Sequence, residues 1–332
     1  MKAAVYAEYG PPDVVRIAEV ETPVPKDDEV LVEVHAASLN PYDWHFVRGL
    51  PQLMRLVSGL RRPKDTRLGA DVAGRVRAVG AGVTRFKPGD AAFGICRGSV
   101  AELVCAPESA LVEMPANISF AQAAAAGIAA LTALQALRDK GRVRAGQTVL
   151  VNGAAGGVGT FAVQIARANG AGVTGVCSAR NVELVKSIGA DHVVDYTRED
   201  FTKSGRRYDL ILDCVGNHSL GALTRVLAAR GTYVGVGGGG VRPEDFSGVA
   251  WTAAMLGRSI AQLVRNLFGR QKLTGLLAKG KTEDLETLRG LLASGEVTPV
   301  IDRRFALAEV RDALRYVEEG HARGKVVIAV RG

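Results

Sequence analysis

The turn that joins Thr148–Val151 to Val158–Ala168 constrains this chain more than any other feature. The first run is apolar and β-branched, as a buried strand is. The second has the apolar spacing of a helix and is ended by Asn169-Gly170. Between them stands Asn152-Gly153-Ala154-Ala155-Gly156-Gly157-Val158-Gly159. The pattern is AxGxxG, with Ala154 in the place of the first glycine of a dinucleotide-binding fingerprint. In that setting Gly156 lets the backbone approach a pyrophosphate and Gly159 lets the helix lie close on the sheet. The first helical amides and the positive end of the helix dipole then face the anion.

Alone, such a turn says little, but the rhythm continues after it. Strands at Val173–Cys177, His192–Val194, Asp209–Leu212 and Thr232–Val236 alternate with helices at Val182–Ser187 and Leu220–Ala229. Alternation at this period predicts a parallel, doubly wound α/β sheet. Residues 241–270 break the pattern. Val249–Leu256 is strongly apolar and includes Trp251 and Met255, and Ile260, Leu263, Val264, Leu267 and Phe268 then recur at near-helical spacing. A lobe over a substrate cleft is expected there, the plainer alternative being a helical pair packed on the domain and the lesser one a basic amphipathic helix lying on anionic lipid. Lys272–Leu277 reads as a last sheet strand, and Glu283–Ser294 as an amphipathic helix with Leu285, Leu288, Leu291 and Leu292 on one face.

The flanks differ in character. To about residue 115 the chain is β-rich, with strands at Val30–Val34 and Val72–Val79 and a turn at Lys87-Pro88-Gly89-Asp90. Phe120–Lys140 reads as one alanine- and leucine-rich helix. From Thr298 the order is strand, helix (Leu307–Glu318) and strand (Lys325–Val330). At 332 residues the chain exceeds one ordinary domain, so two domains sharing a cleft are expected.

The net charge of +8 is dispersed, with Lys and Arg interleaved with Asp and Glu. That argues against a nucleic-acid face and suits an enzyme holding a multiply phosphorylated cofactor. Cys96, Cys105, Cys177 and Cys214 form no CxxC pair, and Cys177 and Cys214 lie in apolar strand-like runs that suit buried, inert thiols, which fits a reducing cytoplasm. The chain opens on a strand-like Met1–Tyr6 with no signal peptide, and no apolar run is long enough to span a membrane. No membrane span is therefore expected, and membrane association is not the leading reading.

The segment Leu150–Gly159, together with Gln164-Ile165-Ala166, resembles the nucleotide-binding signature of the zinc-independent medium-chain dehydrogenases/reductases, in their quinone oxidoreductase (zeta-crystallin-like) family. Phe86-Lys87-Pro88-Gly89-Asp90, Ile188-Gly189-Ala190-Asp191, Val194-Asp195-Tyr196 and Gly324-Lys325-Val326-Val327 match in the same order. The likeness covers nearly the whole chain except residues 241–270. It implies a Rossmann domain over residues 121–298, inserted in a β-rich, GroES-like catalytic domain made of residues 1–120 and 299–332. The active site would lie at the carboxyl ends of the parallel strands. By position, the resemblance carries Thr132, Ala154, Gly156, Gly157, Val158, Gly159, Ser178, Arg180, Tyr196, Val215, Gly216, Gly237, Arg323 and Lys325 onto the cofactor. It also implies a homodimer joined at the last sheet strands, here Lys272–Leu277, whose apolar residues suit a buried edge.

The end of the second strand points to NADPH rather than NADH. A site for NADH holds the ribose hydroxyls with an acid there. Here the residues are Cys177-Ser178-Ala179-Arg180-Asn181, with no acid until Glu183. Ser178 offers a hydroxyl and Arg180 a charged fork for a 2′-phosphate, and Tyr196 would cover the adenosine.

Zinc-dependent relatives place a Cys ligand after an early strand and a His-Glu pair downstream. The corresponding places read Asn40-Pro41-Tyr42-Asp43 and Gly69-Ala70-Asp71, and Asn40 and Ala70 cannot stand in for a thiolate and an imidazole. Without a Lewis acid, a conjugated acceptor such as a quinone or enone is the easier substrate, because hydrogen-bond donors can stabilise the oxyanion it forms. The donors in reach by sequence are Asn40 and Tyr42, with His45 and Arg48 in the same stretch. The resemblance places Asn40 and Asp43 facing the nicotinamide. The plainer alternatives are that Tyr42 is a core aromatic and that Asp43 caps the helix beginning at Trp44. Three functions fit these residues: an NADPH-dependent quinone or enone reductase, a reductase dedicated to one biosynthetic intermediate, and a non-enzymatic structural or membrane-associated protein that keeps the fold.

Overall fold

The computed structural model describes residues 1–236, 257, 260–267 and 269–331. Most of the expected lobe at 241–270, including Trp251 and Met255, and the cofactor candidate Gly237 lie outside the described residues. The chain divides into two compact units, one made of residues 1–131 and 279–332 and the other of 132–278.

The first unit begins with β1 (Lys2–Val5) and β2 (Arg16–Glu19), an antiparallel pair. Then come β3 (Glu29–Leu39), α1 (Pro41–Arg48), α2 (Arg55–Ser58), β4 (Asp71–Val79), β5 (Ala91–Ile95), β6 (Leu103–Pro107), β7 (Leu111–Glu113), α3 (Phe120–Ala125) and the start of α4 (Ile128–Gln135). β3 organises this unit. Its alternating Val30, Val32 and Val34 are fully buried, and they pack with Val72, Phe86 and Leu111. β3 pairs with both β4 and β6, in antiparallel register.

The second unit contains β8 (Thr148–Asn152), α5 (Gly157–Ala168), β9 (Gly172–Cys177), α6 (Val182–Ser187), β10 (His192–Asp195), β11 (Tyr208–Asp213), α7 (Leu220–Val226), β12 (Leu227–Val236), α8 (260–267) and β13 (Lys272–Leu276). The six strands are parallel, in the order β10-β9-β8-β11-β12-β13. This is the doubly wound Rossmann order, with its topological switch between β8 and β11. Val149, Leu150 and Val151 are all buried, as they must be in a sheet covered on both faces.

The chain then returns to the first unit with α9 (Thr282–Ser294), β14 (Ile301–Ala306), α10 (Val310–Glu318) and β15 (Lys325–Ala329). β15 pairs antiparallel with β3 and parallel with β14, completing a seven-stranded sheet.

Three sequence expectations change. The single helix expected over 120–140 is broken. α3 ends at Ala125, α4 starts at Ile128, and residues 136–141 form a wider π-turn. The break has a cause. A Cβ at Gly127 would lie 2.2 Å from Oδ1 of Asp71, and the Ile128 N–H donates to that same oxygen at 2.7 Å. Second, residues 227–229, expected at the end of a helix, belong to β12, where Leu227 pairs with Tyr208. Third, the units divide at 131/132 and 278/279, not at 120/121 and 298/299. α9 accounts for most of this. Thr282 donates to Ser109 O at 2.6 Å, Glu286 pairs with Arg85 at 2.9 Å, and Asn117 donates to Leu292 O at 3.0 Å, all within the first unit.

Candidate functional sites in the two units

At the carboxyl end of β8 the chain turns through Gly153 (φ +85°) into α5, with Gly156 as the N-cap. Gly153 N and Ala154 N both donate to Val176 O, which ties the turn to the end of β9. Gly159 is demanded by packing: a Cβ there would stand 2.1 Å from Gly153 O. Gly156 is different. Its backbone is extended, and a Cβ would meet only Gly153 O, at 3.4 Å, so the fold leaves open space on this face. The first turn of α5, with Gly157 and Val158, carries no acidic side chain. Its amides have no intrahelical partners. A bare, positively polarised cradle of this kind fits a pyrophosphate.

A polar network lies beside the cradle. Asn152, ending β8, donates to Asp213 Oδ1 at 2.8 Å, and Asp213 ends β11. The same oxygen accepts from the backbone N–H of Val215 (3.1 Å) and of Gly216 (2.8 Å), while Tyr233 donates to the other oxygen at 3.0 Å. The carboxylate is buried and holds the loop carrying Val215 and Gly216, whose φ is +77°. Sequence reading placed Val215 and Gly216 on the cofactor but missed Asp213 beneath them. The available signal was an acid ending the strand at the switch point.

At the end of β9, Ser178 is half-buried and accepts from Asn181 Nδ2 at 3.3 Å, and Arg180 lies on the surface. Tyr196 follows β10, is 59% exposed and has its N–H bonded to Cys177 O. The three residues therefore gather around the ends of two adjacent strands. The sequence did not reveal that Asp195 reaches the same corner, where it accepts hydrogen bonds from Thr197 and from the backbone N–H of Ala179. These bonds, those of Thr197 foremost, hold its carboxyl below the usual range.

The first unit contains a buried cluster of a different kind. Asp71, at the start of β4, is inaccessible to solvent. Its Oδ2 accepts from Ser38 Oγ (2.7 Å), Asn40 Nδ2 (2.8 Å) and Lys325 Nζ (3.2 Å), and its Oδ1 from Ile128 N. Lys325 also donates to Asn40 Oδ1 at 2.5 Å and to Leu39 O at 3.3 Å. Lys325 is only 3% exposed, so its three donors point inward. The resemblance placed Lys325 on the cofactor, whereas here it neutralises a carboxylate. Asn40 is likewise engaged at both ends of its amide.

Asp43 lies within α1, and its Oδ2 accepts from the Asn40 backbone N–H at 2.7 Å, so it closes the first turn of that helix. Burial pushes its carboxyl up to about 7, opposed by the Asn40 and Gly69 N–H groups and further raised by Asp71. Tyr42 packs on Phe46 and lines a recess with Tyr6, Asp65, Arg67 and Arg97. Burial raises the Tyr42 phenol, partly offset by Arg97, so it keeps its proton. Two other candidates are committed elsewhere. Arg48 forms a bidentate pair with Glu318, tying α1 to α10, and His45 stacks on Trp44 with Nδ1 against Leu50 O. Thr132 lies in α4, and Arg323 is exposed with its N–H bonded to Asp302. Among the described residues no three His, Cys, Asp or Glu side chains converge as metal ligands.

Comparison with known proteins places this geometry in context. Residues 26–116 match the alcohol dehydrogenase GroES-like domain, and residues 188–328 match the family model described as zinc-binding dehydrogenase. The chain is 33% identical to the chloroplast envelope quinone oxidoreductase homolog of Arabidopsis thaliana, over 99% of this chain and 98% of that protein. It is 35% identical to the 2-methylene-furan-3-one reductase of Solanum lycopersicum, over 99% and 79%. The Escherichia coli quinone oxidoreductase crystallised with NADPH has a TM-score of 0.83 and 25% identity, over 99% of this chain and 100% of that one.

Proposed function

The chain belongs to the medium-chain dehydrogenase/reductase family, among its quinone oxidoreductases, and from that premise we propose that it is an NADPH-dependent reductase of quinones or other conjugated carbonyls that works without a metal. The observation that carries this reading is the buried Ser38–Asn40–Asp71–Lys325 cluster. Asn40 and Ala70 occupy the places of two zinc ligands in zinc-dependent relatives. Ala70 has no donor atom, and Asn40 is spent on Asp71 and Lys325, so the residues present do not fit Zn²⁺. The local cation is the lysine's own ammonium.

The cradle fits the nicotinamide cofactor. Gly156, Gly157 and the first amides of α5 would hold the pyrophosphate, and Ser178 and Arg180 the 2′-phosphate. When bound, the cofactor supplies the hydride. The chain's share is to position the acceptor and to stabilise charge on its oxygen. Tyr42, held protonated in the recess beside Arg97, is suited to donate a hydrogen bond or proton there.

The test is NADPH consumption across a panel of quinones and enones with a chelator present. Activity on at least one acceptor is expected, and a requirement for zinc would overturn the metal-free reading. Arg180→Ala should weaken NADPH binding about ten- to a hundred-fold, since a charge-assisted contact is worth roughly 1.5–3 kcal/mol, while NADH kinetics stay nearly unchanged. Equal losses with both cofactors would remove Arg180 from the phosphate site.

A further inference from the structure

One surface segment has its polarity turned inside out. In residues 51–64, Leu53, Leu56, Val57 and Leu60 are 55%, 66%, 81% and 68% exposed. The polar residues between them face inward. Arg55 donates to Gly49 O at 3.0 Å and to Arg48 O at 3.2 Å, and its guanidinium lies 4.5 Å from the Tyr9 ring centre. Ser58 donates to Met54 O at 3.0 Å and meets the Tyr9 hydroxyl at 2.9 Å. Tyr9 in turn donates to Gly59 O at 2.7 Å. An ordinary surface turn would present Arg55 and Ser58 to water and tuck the aliphatic side chains away. Here each inward polar group has a partner that keeps it there, so the outward apolar face is held in place by built contacts.

Three exposed cationic residues follow this face in the chain. Gly59 turns the chain back with φ +119°, and Lys64 N donates to Ser58 O at 2.8 Å. That reversal carries exposed Arg61, Arg62 and Lys64 alongside the aliphatic patch. No acidic residue occurs between Asp43 and Asp65. Asp65, next in sequence, is already paired with Arg67 and Arg97. Four exposed aliphatic side chains beside three exposed cationic ones complement one kind of surface, a bilayer whose headgroups are anionic and whose interior begins just below them. A second copy of the chain is a poorer partner. A two-fold contact would bring each patch against its twin and set cationic residues against cationic residues.

We propose that residues 51–64 form a docking surface for anionic lipid bilayers, with Leu53, Leu56, Val57 and Leu60 entering the interface and Arg61, Arg62 and Lys64 meeting the headgroups. This is surface attachment. Among the described residues no helix is long and apolar enough to cross a membrane. The inference goes against the leading sequence reading, which did not favour membrane association, and it stands apart from the proposed reaction.

Vesicle sedimentation tests it with the full chain, using vesicles of phosphatidylcholine alone and of phosphatidylcholine with an equal share of phosphatidylglycerol. The protein should pellet with the anionic vesicles, remain in solution with the neutral ones, and be released by high salt. The double variant Leu56→Glu/Val57→Glu should lower the bound fraction about tenfold or more, and Arg61→Ala/Arg62→Ala several-fold, with thermal melting unchanged because these side chains are exposed. A wild type that stays in solution with anionic vesicles overturns the proposal. So does equal pelleting of wild type and both variants. Loss of self-association in Leu56→Glu/Val57→Glu, seen by light scattering without vesicles, would assign the patch to a protein interface instead and equally overturn it.

Discussion

Lys325 and Asp71 form an ion pair from which water is excluded, and such a pair is sensitive to loss of one member. Lys325→Met would leave the Asp71 carboxylate to Ser38, Asn40 and a backbone N–H, an uncompensated charge that costs about 3–5 kcal/mol. Chemical denaturation reads this directly. Adding Asp71→Asn should restore much of the loss, because it removes the orphaned charge, and a double variant as unstable as the sum of the singles would contradict the pairing. Asp43 supplies a pH dependence. Its carboxyl is raised from 3.8 to about 7 in the fold, so the folded state favours the protonated form. The stability it contributes is fully present below pH 3.8 and is lost as pH rises through about 7, at up to about 1.4 kcal/mol per pH unit. Asp43→Asn cannot ionise. Urea titrations at pH 5 and pH 8 should therefore show the variant gaining on the wild type at the higher pH, whereas a constant gap would contradict the raised value.

At the scale of the elements, the glycines of the β8–α5 turn divide into those the packing needs and those a ligand would need. Gly159→Ala drives a methyl into Gly153 O and the Ala154 backbone, and should destabilise the protein by ~3 kcal/mol, seen as a lowered melting temperature. Gly216→Ala meets no atom within 4 Å and pays only for its φ of +77°, about 1–2 kcal/mol. If the two variants melt together, the close approach of α5 to the sheet is not what Gly159 secures. The edge strand β13 is also handled by one side chain. Asn266, on α8, donates to Leu273 O and accepts from Leu273 N, each at 2.7 Å, and so imitates a neighbouring strand at that position. This covers part of an edge that would otherwise invite pairing.

That edge bears on the whole molecule. The family likeness implies a homodimer through β13, yet among the described residues Asn266 already occupies that edge at Leu273. A dimer mass by light scattering at micromolar protein is the expected result, and a monomer mass would reject assembly at this edge. In the proposed reaction each unit would bring its own part: the Rossmann unit the cradle and the Ser178–Arg180 corner, the β-rich unit the Asp71 cluster and the Tyr42 recess. The inserted order of the chain, with residues 132–278 continuous between two parts of the other unit, lets β15 close against β3 and so carries Lys325 to Asn40 and Asp71.

Local rules made the Rossmann unit legible from the residues alone. Period-two and helical apolar patterns, with glycines and Asn-Gly stops, sufficed for β8, α5, β9 and α6, because each element buries what its own sequence presents. The glycine cradle and the absence of an acid between Cys177 and Glu183 were likewise written in consecutive residues. The tertiary structure decided what depends on partners far apart in sequence. Ser38, Asn40, Asp71, Ile128 and Lys325 meet only because β3, β4, α4 and β15 converge, so no spacing announces their cluster. For the same reason the helix over 120–140 broke at Gly127, where a distant carboxylate needed both space and an N–H, against a local preference for continuous helix. The outward aliphatic face of residues 51–64 was hidden for a related cause. Which side of a short turn faces water is settled by what the polar side can reach, and Tyr9 lies more than forty residues away.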